Sequence, residues 1–316
     1  MLLERLEKHT GLPRSLLERY AETASKRYRV YTIEKRNRDP RPIEHPSREI
    51  KAIQRWLIRA LIGNMPVHEA STAYSKGASI RKNAERHVRS RYTVRLDFED
   101  FFPSFGGAHV IAYLEKTHAD LGMVLSTEDL AFVRRIVCRH DALTIGAPTS
   151  PGLTNAMMFE FDTALADWCA ARALIYTRYA DDLFISASAP GALVDVEAKA
   201  AELAAAFPYA KLALNRERTA HLSRKYRRSI TGLVITPEQT LSIGRDKKTR
   251  LKSDVYAYSI GKLQPEERSR TAGLVAFVRD VEPSFYETLL RKYGRETIED
   301  LQKGLRSSLK GRSRRA

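Results

Sequence analysis

The stretch Ile175-Tyr176-Thr177-Arg178-Tyr179-Ala180-Asp181-Asp182-Leu183-Phe184-Ile185-Ser186 decides how this chain is read. Two β-rich runs flank the four-residue break Tyr179-Ala180-Asp181-Asp182, which predicts a tight hairpin with adjacent carboxylates at its tip. Adjacent carboxylates repel one another unless a cation or an arginine neutralises them. A hairpin tip lifts them out of the core to where a hydrated divalent cation reaches them. Magnesium suits such a place, because it takes oxygen ligands and binds through one or two carboxylates together with substrate phosphates. A bare Asp-Asp pair is ordinarily an acidic surface turn, so a second element has to bring further carboxylate to it.

That element lies upstream, at Tyr92-Thr93-Val94-Arg95-Leu96-Asp97-Phe98-Glu99-Asp100-Phe101-Phe102-Pro103-Ser104-Phe105. By the period of two, Tyr92, Val94, Leu96 and Phe98 share one face of a strand and Asp97 takes the other. Asp97 at a strand end and Asp181 on a neighbouring hairpin supply the split carboxylate set of a two-metal phosphoryl-transfer site. The combination resembles the reverse transcriptases, in which an Asp followed by aromatics and a Tyr-Ala-Asp-Asp hairpin form the palm active site. The resemblance implies catalytic roles for Asp97, Asp181 and Asp182, with Asp97, Phe98, Asp181 and Asp182 as the residues around two Mg2+ ions. Phe102 falls where this class places a steric gate, a ring that rejects a ribonucleotide by clash with its 2′-OH. Phe101 beside it reads as core.

Bulk composition agrees with a polyanionic partner. The 316 residues carry 54 Lys and Arg against 38 Asp and Glu, a net charge of +16, and the pI is about 9.9. Such an excess draws nucleic acid by long-range attraction, and an anionic membrane equally well. No apolar run approaches the ~18 residues of a membrane span, and Met1 to Lys8 reads as an amphipathic helix opening rather than a signal peptide. Cys138 and Cys169 are too few for a disulfide scaffold or a zinc site, so the expectation is a cytoplasmic protein with no membrane partner.

Further motifs extend the resemblance along the chain. Residues 1–27 predict two short helices broken at Gly11-Leu12-Pro13. Tyr28 to Lys35 and Arg41 to Pro46 predict two strands, and Ser47 to Ile62 a helix capped by Ser47. From resemblance to the fingers of reverse transcriptases, Lys35, Arg41 and Lys51 are candidate contacts of the incoming triphosphate or template; a solvated surface charge is the ordinary reading of each. Asn83-Ala84-x-x-His87 matches a motif of retron reverse transcriptases, and its Asn and His stand i,i+4 on one helix face, where they could bind RNA or brace the palm. Gly146-Ala147-Pro148-Thr149-Ser150-Pro151 resembles the nucleotide-side loop of the family and makes Gly146, Ala147 and Pro148 nucleotide-binding candidates. Many relatives carry Gln before that Gly; Ile145 stands here and offers no amide. Asn215 to Thr219 resembles the loop where related enzymes place a basic residue near the triphosphate. Ile230-Thr231-Gly232 resembles the Val-Thr-Gly motif of retron enzymes, with Thr231 and Gly232 as RNA-binding candidates.

The expected fold is α+β, a right-hand polymerase fold with fingers, a palm of antiparallel sheet backed by helices, and a helical thumb. The expected borders are 1–91 for N-terminal helices and fingers, 92–244 for the palm with a fingers insertion at about 106–150, and 245–316 for a basic thumb whose Lys and Arg track phosphates. The implied activity is RNA-directed DNA synthesis from deoxynucleotide triphosphates. The retron resemblance implies a small RNA-linked DNA (msDNA) made on a cognate structured non-coding RNA, with an effector or toxin protein as partner in anti-phage defence. Two alternatives stand beside it: another bacterial reverse transcriptase, of group II intron or diversity-generating type, and a catalytically idle RNA-binding scaffold that regulates a toxin.

Overall fold

The computed structural model describes residues 1–34, 40–118, 120, 122, 124–223, 225 and 228–303. The chain opens with α1 (Leu2–Thr10) and α2 (Arg14–Glu22), followed by β1 (Tyr28–Glu34), β2 (Pro40–Pro46) and α3 (Arg48–Ala60). Next come α4 (Ile80–Arg86), β3 (Tyr92–Asp97), α5 (Gly107–Thr117) and α6 (Thr127–Val137). The helices α7 (Ser150–Met157) and α8 (Phe159–Ala170) lead into β4 (Ile175–Tyr179), β5 (Asp182–Ala187) and α9 (Val196–Ala205). The short strands β6 (Ala220–Ser223), β7 (Arg228–Ile230), β8 (Leu233–Ile235) and β9 (Leu241–Ser242) precede α10 (Arg245–Ser259), α11 (Pro265–Val281) and α12 (Pro283–Tyr293).

Local chemistry sets several of these ends. Gly11 stops α1 in the left-handed conformation (φ +68°), and its N–H donates to the Glu7 carbonyl. The Ser47 hydroxyl accepts from the Ile50 N–H at the start of α3, as its sequence predicts. Ser126 and Asp129 form a capping box on α6. Asp129 also accepts from the Leu2 and Leu3 N–H groups at 3.1 and 2.9 Å, so one buried carboxylate anchors the first turn of α1.

The chain divides into two compact units. The first comprises Met1–Ser79 and Ser90–His221, the second Ile80–Arg89 and Leu222–Ala316. In the first unit β1 and β2 form an antiparallel hairpin, and β4, β5 and β3 run side by side with β5 antiparallel to both neighbours. The sheet order is β4-β5-β3-β6, and the border between the units falls within β6. One continuous core fills this unit, from Leu2, Leu6 and Leu17 through Trp56 and Leu57 to Leu96, Phe98, Phe161 and Leu183. The second unit holds α4, the β7-β8-β9 sheet, α10 to α12 and further helical residues 295–303.

These borders differ from those expected at 91/92 and 244/245. The residues after β6 join the helices that follow because specific bonds tie them together. Arg228 Nη2 donates to the carbonyls of His87 (3.3 Å) and Val88 (3.0 Å), the Thr231 hydroxyl to Ile80 O (3.1 Å), and Lys247 Nζ to Gly232 O (3.2 Å). Helix α9 starts at Val196, because Pro190 and a left-handed Gly191 (φ +75°) keep the residues before it out of helical geometry. Leu214 forms a single bridge with Phe98.

Candidate active site

The site is built where three strand ends meet. In the β3–β5 register Asp97 stands opposite Asp182, and in the β4–β5 register Tyr179 stands opposite Asp182. Directly opposed residues share a face, so Tyr179, Asp182 and Asp97 form one row across the sheet. The next row, Arg178, Leu183 and Leu96, points the other way, into the helix-covered side. Ala180 and Asp181 are left as a two-residue turn between β4 and β5, and Ala180 takes the left-handed conformation (φ +58°). The Phe98 N–H donates to the Asp181 carbonyl at 3.3 Å, which ties the turn to the end of β3. The Asn215 N–H donates to the Asp97 carbonyl at 2.7 Å.

Electrostatics report how close these carboxylates are. Asp182 is raised from 3.8 to about 7, first by burial and then by the charges of Asp181 and Asp97, against smaller opposing pulls from Arg95 and Arg218. Asp97 is itself only 5% exposed. Arg218 Nη1 donates to Asp97 Oδ2 at 3.0 Å from a side chain that is 44% exposed, so the cluster has a guanidinium counter-charge at its solvent side. Among the described residues no three His, Cys, Asp or Glu side chains converge as ligands of one ion. The donor set still fits magnesium, which takes one or two carboxylates and completes its shell with water and substrate phosphates. Mutually repelling, partly desolvated carboxylates are also the groups that a dication relieves most.

Comparison with known proteins decides the family. A family model described as "Reverse transcriptase (RNA-dependent DNA polymerase)" matches residues 33–235. The chain is 32% identical over 280 residues to the retron Ec83 reverse transcriptase of Escherichia coli, covering 87% of this chain and 90% of that relative. It is 31% identical over 312 residues to the retron Ec86 reverse transcriptase of Escherichia coli, covering 94% and 92% of the two. The chain belongs to the retron-type reverse transcriptases. It is an RNA-directed DNA polymerase, with the mixed helix-and-sheet, right-hand fold of that family. A solved telomerase of Candida tropicalis overlaps 88% of this chain and 63% of that one at 11% identity and TM-score 0.46, a likeness too distant to add to this.

Other candidate residues of this reverse transcriptase fall in different settings. Phe102 is half-buried, and its ring meets that of buried Phe101 edge-on at 5.5 Å. Phe98 is buried between Phe101 and Phe161, so only its backbone is at hand beside Asp97. Gly146 is exposed at φ +114° in a loop that lies against β2, where the Glu44 N–H donates to Ile145 O at 2.8 Å. A Cβ at Gly146 would meet the Glu44 carbonyl oxygen at 2.8 Å, so this position needs glycine for both conformation and space. Ala147 is buried and Pro148 half-buried beside it. Lys51 contacts His45 across the entry to α3, and burial lowers the Lys51 ammonium below its ordinary range. Arg41 lies on β2 opposite Ile33; Lys35 lies outside the described residues.

The retron motif residues belong to the second unit. Asn83 on α4 and His87 just past its end are fully buried, and burial followed by the charges of Arg228 and Arg86 pushes His87 down to about 3. Neither side chain reaches the surface of the protein. Thr231 and Gly232 form the β7–β8 turn, with φ of +45° and +81°, and they anchor Ile80 and Lys247.

Sequence reading passed over a polar network behind the hairpin. Arg178 and Asp162 are both 0% exposed and form an ion pair at 2.6 Å. The buried face of α8 (Phe161, Asp162, Leu165 and Cys169) and the inward row of the sheet each carry one charge, and that coincidence was the available signal. Neither charge reads alone as anything but a misplaced surface residue until the fold brings them together.

Proposed function

We propose that this reverse transcriptase copies part of a cognate structured non-coding RNA into a small DNA that stays joined to it (msDNA), by two-metal nucleotidyl transfer at Asp97, Asp181 and Asp182. The observation that carries the mechanism is the row of Asp97 and Asp182 across β3 and β5, at the end where the hairpin presents Asp181. Two magnesium ions, when bound, supply activation of the primer hydroxyl and charge neutralisation of the triphosphate and leaving group. The chain's own residues hold and orient. Asp97 and Asp181 would hold the cations, and Asp182, raised to about 7 by burial and by these two neighbours, is the carboxyl whose ionised form a bound cation would favour. Arg218 places a guanidinium beside Asp97, a group that matches phosphate oxygens with charge-assisted hydrogen bonds. Phe102 screens the sugar, and the Gly146 loop, fixed on β2, lines the nucleotide side. Positioning and electrostatics therefore supply most of the rate, with little acid–base chemistry asked of the protein.

The retron names of the relatives support the msDNA reading, and the excess of basic residues supports an RNA partner. The same resemblance supports priming from a guanosine 2′-OH and an effector protein in anti-phage defence. Among the described residues no helix is long and apolar enough to cross a membrane, and a cytoplasmic setting is part of this proposal. The test pairs the purified protein with RNA transcribed from its own locus, magnesium and labelled deoxynucleotides, and compares Asp181→Asn. The expected product is a discrete RNA-linked DNA, absent with the variant and released only by debranching. DNA made only on an added primer and template would leave a reverse transcriptase of another type. Tight RNA binding with no DNA from either template would refute the catalytic reading.

A further inference from the structure

The hairpin tip that carries Asp181 is gripped from behind by a buried arginine. Arg178 lies on the inward row of β4, one residue before Tyr179. Its Nε and Nη2 donate to the Asp162 carboxylate of α8 at 2.8 and 2.6 Å, and Tyr176 Oη donates to the same carboxylate at 2.7 Å. Its Nη1 donates to Asn155 Oδ1 at 3.2 Å and to the Ala180 carbonyl at 3.1 Å. Asn155, on α7, also accepts from the Ser71 hydroxyl at 3.0 Å and donates to Ala73 O at 2.8 Å. The strand edge is held too, because Arg178 N–H donates to Ala70 O and Thr72 N–H to Arg178 O, both at 2.8 Å.

We propose that Arg178 is a positioning residue for the metal-binding carboxylates: fixed by Asp162 and Asn155, its guanidinium pins the Ala180 carbonyl and so sets the peptide plane that presents Asp181. This rests on the catalytic reading of Asp97, Asp181 and Asp182 above. The geometry favours positioning over stability alone for two reasons. A left-handed alanine is a costly turn residue that persists only where its surroundings over-determine it, and the guanidinium supplies that constraint at the one carbonyl between Ala180 and Asp181. On the far side of Asp181, the Phe98 N–H takes its carbonyl. The residue is thus clamped at both of its peptides, and each clamp belongs to an element that also positions Asp97 or packs behind it. A planar fork with several donors can grip Asp162 and still reach Ala180; a lysine ammonium, a single point on a flexible stem, does not reproduce that set.

Two variants separate the roles. Arg178→Met with Asp162→Leu removes the ion pair while leaving no buried charge alone, a replacement that proteins commonly tolerate. Arg178→Lys keeps a cation beside Asp162 and gives up the multi-armed grip. Each is compared with wild type and Asp181→Asn by thermal melting, by Mn2+ binding followed through the free-ion electron paramagnetic resonance signal, and by single-nucleotide extension at varied Mn2+ and nucleotide. The expected result is a folded protein whose Mn2+ binding weakens about tenfold and whose kcat falls about a hundredfold, the scale on which a misplacement of about 1 Å acts, with nucleotide KM at saturating metal within about threefold. A folded double variant with wild-type Mn2+ binding and kcat would overturn the proposal and leave the network a matter of stability. If the double variant does not fold, Arg178→Lys decides by the same two readouts. Wild-type protein whose Mn2+ binding is unaffected by Asp181→Asn would instead defeat the catalytic reading itself, so the two failures are distinguishable.

Discussion

Replacing Asp182 with asparagine tests the electrostatics of the site without asking for catalysis. The folded protein raises this carboxyl from 3.8 to about 7 through burial and the charges of Asp181 and Asp97. A group whose folded pKa is raised binds more protons folded than unfolded between those values, so folding loses stability as pH climbs from about 4 to about 7. At 1.36 kcal/mol per unit, the cost of ionising Asp182 in place is under about 1 kcal/mol at pH 4, about 2 kcal/mol at pH 5 and about 4 kcal/mol at pH 8. Asparagine keeps the shape and carries no charge, so Asp182→Asn is expected to be more stable than wild type at pH 8 in chelator, by an amount that shrinks steadily towards pH 4. Urea melts of both proteins at several pH values, with EDTA throughout, measure the difference. Adding magnesium at pH 8 should stabilise wild type more than the variant and narrow the gap, because a cation bound to the folded site offsets the Asp182 charge that the variant lacks. A variant equal to or less stable than wild type at pH 8, or a gap independent of pH, would refute the claim that the three carboxylates repel one another at the hairpin.

Three further outcomes follow from particular contacts. His87 is held neutral with a pKa of about 3 against an ordinary 6.5, so the unfolded chain binds the proton first and stability is lost as pH falls below about 6.5, by about 2 kcal/mol at pH 5; His87→Gln should flatten that acid limb in a pH series of melts. Gly146→Ala forces a Cβ to 2.8 Å from the Glu44 carbonyl at φ +114°, and a cost of about 1–3 kcal/mol is expected to loosen the loop from β2. Nucleotide KM should then rise with RNA binding unchanged, as steady-state extension and filter binding would show. Phe102→Val should admit ribonucleotides, improving their incorporation relative to deoxynucleotides by about 10- to 100-fold in competition assays; an unchanged ratio would remove Phe102 from the sugar gate.

Much of this protein is legible in its sequence because the decisive signals are local. Alternation in Tyr92 to Phe98 assigns Asp97 to the face away from the core, and the break at Tyr179-Ala180-Asp181-Asp182 places a turn between two strands; both depend only on the period of a strand and the chemistry of a hairpin. The stops at Gly11 and Gly294 and the start at Pro265 are equally local, being properties of backbone conformation. What the sequence left open depends on partners far away in the chain. The burial of Asn83 and His87, the seating of Gly146 on β2 and the counter-charge that Arg218 gives Asp97 each join residues that only folding brings together. Arg178 is the clearest case. On its own strand it is an arginine in an apolar row. Its meaning comes from Asp162, sixteen residues earlier on another element, because a buried charge is tolerated only where an opposite charge and fitted acceptors meet it, and that meeting is a property of tertiary structure alone.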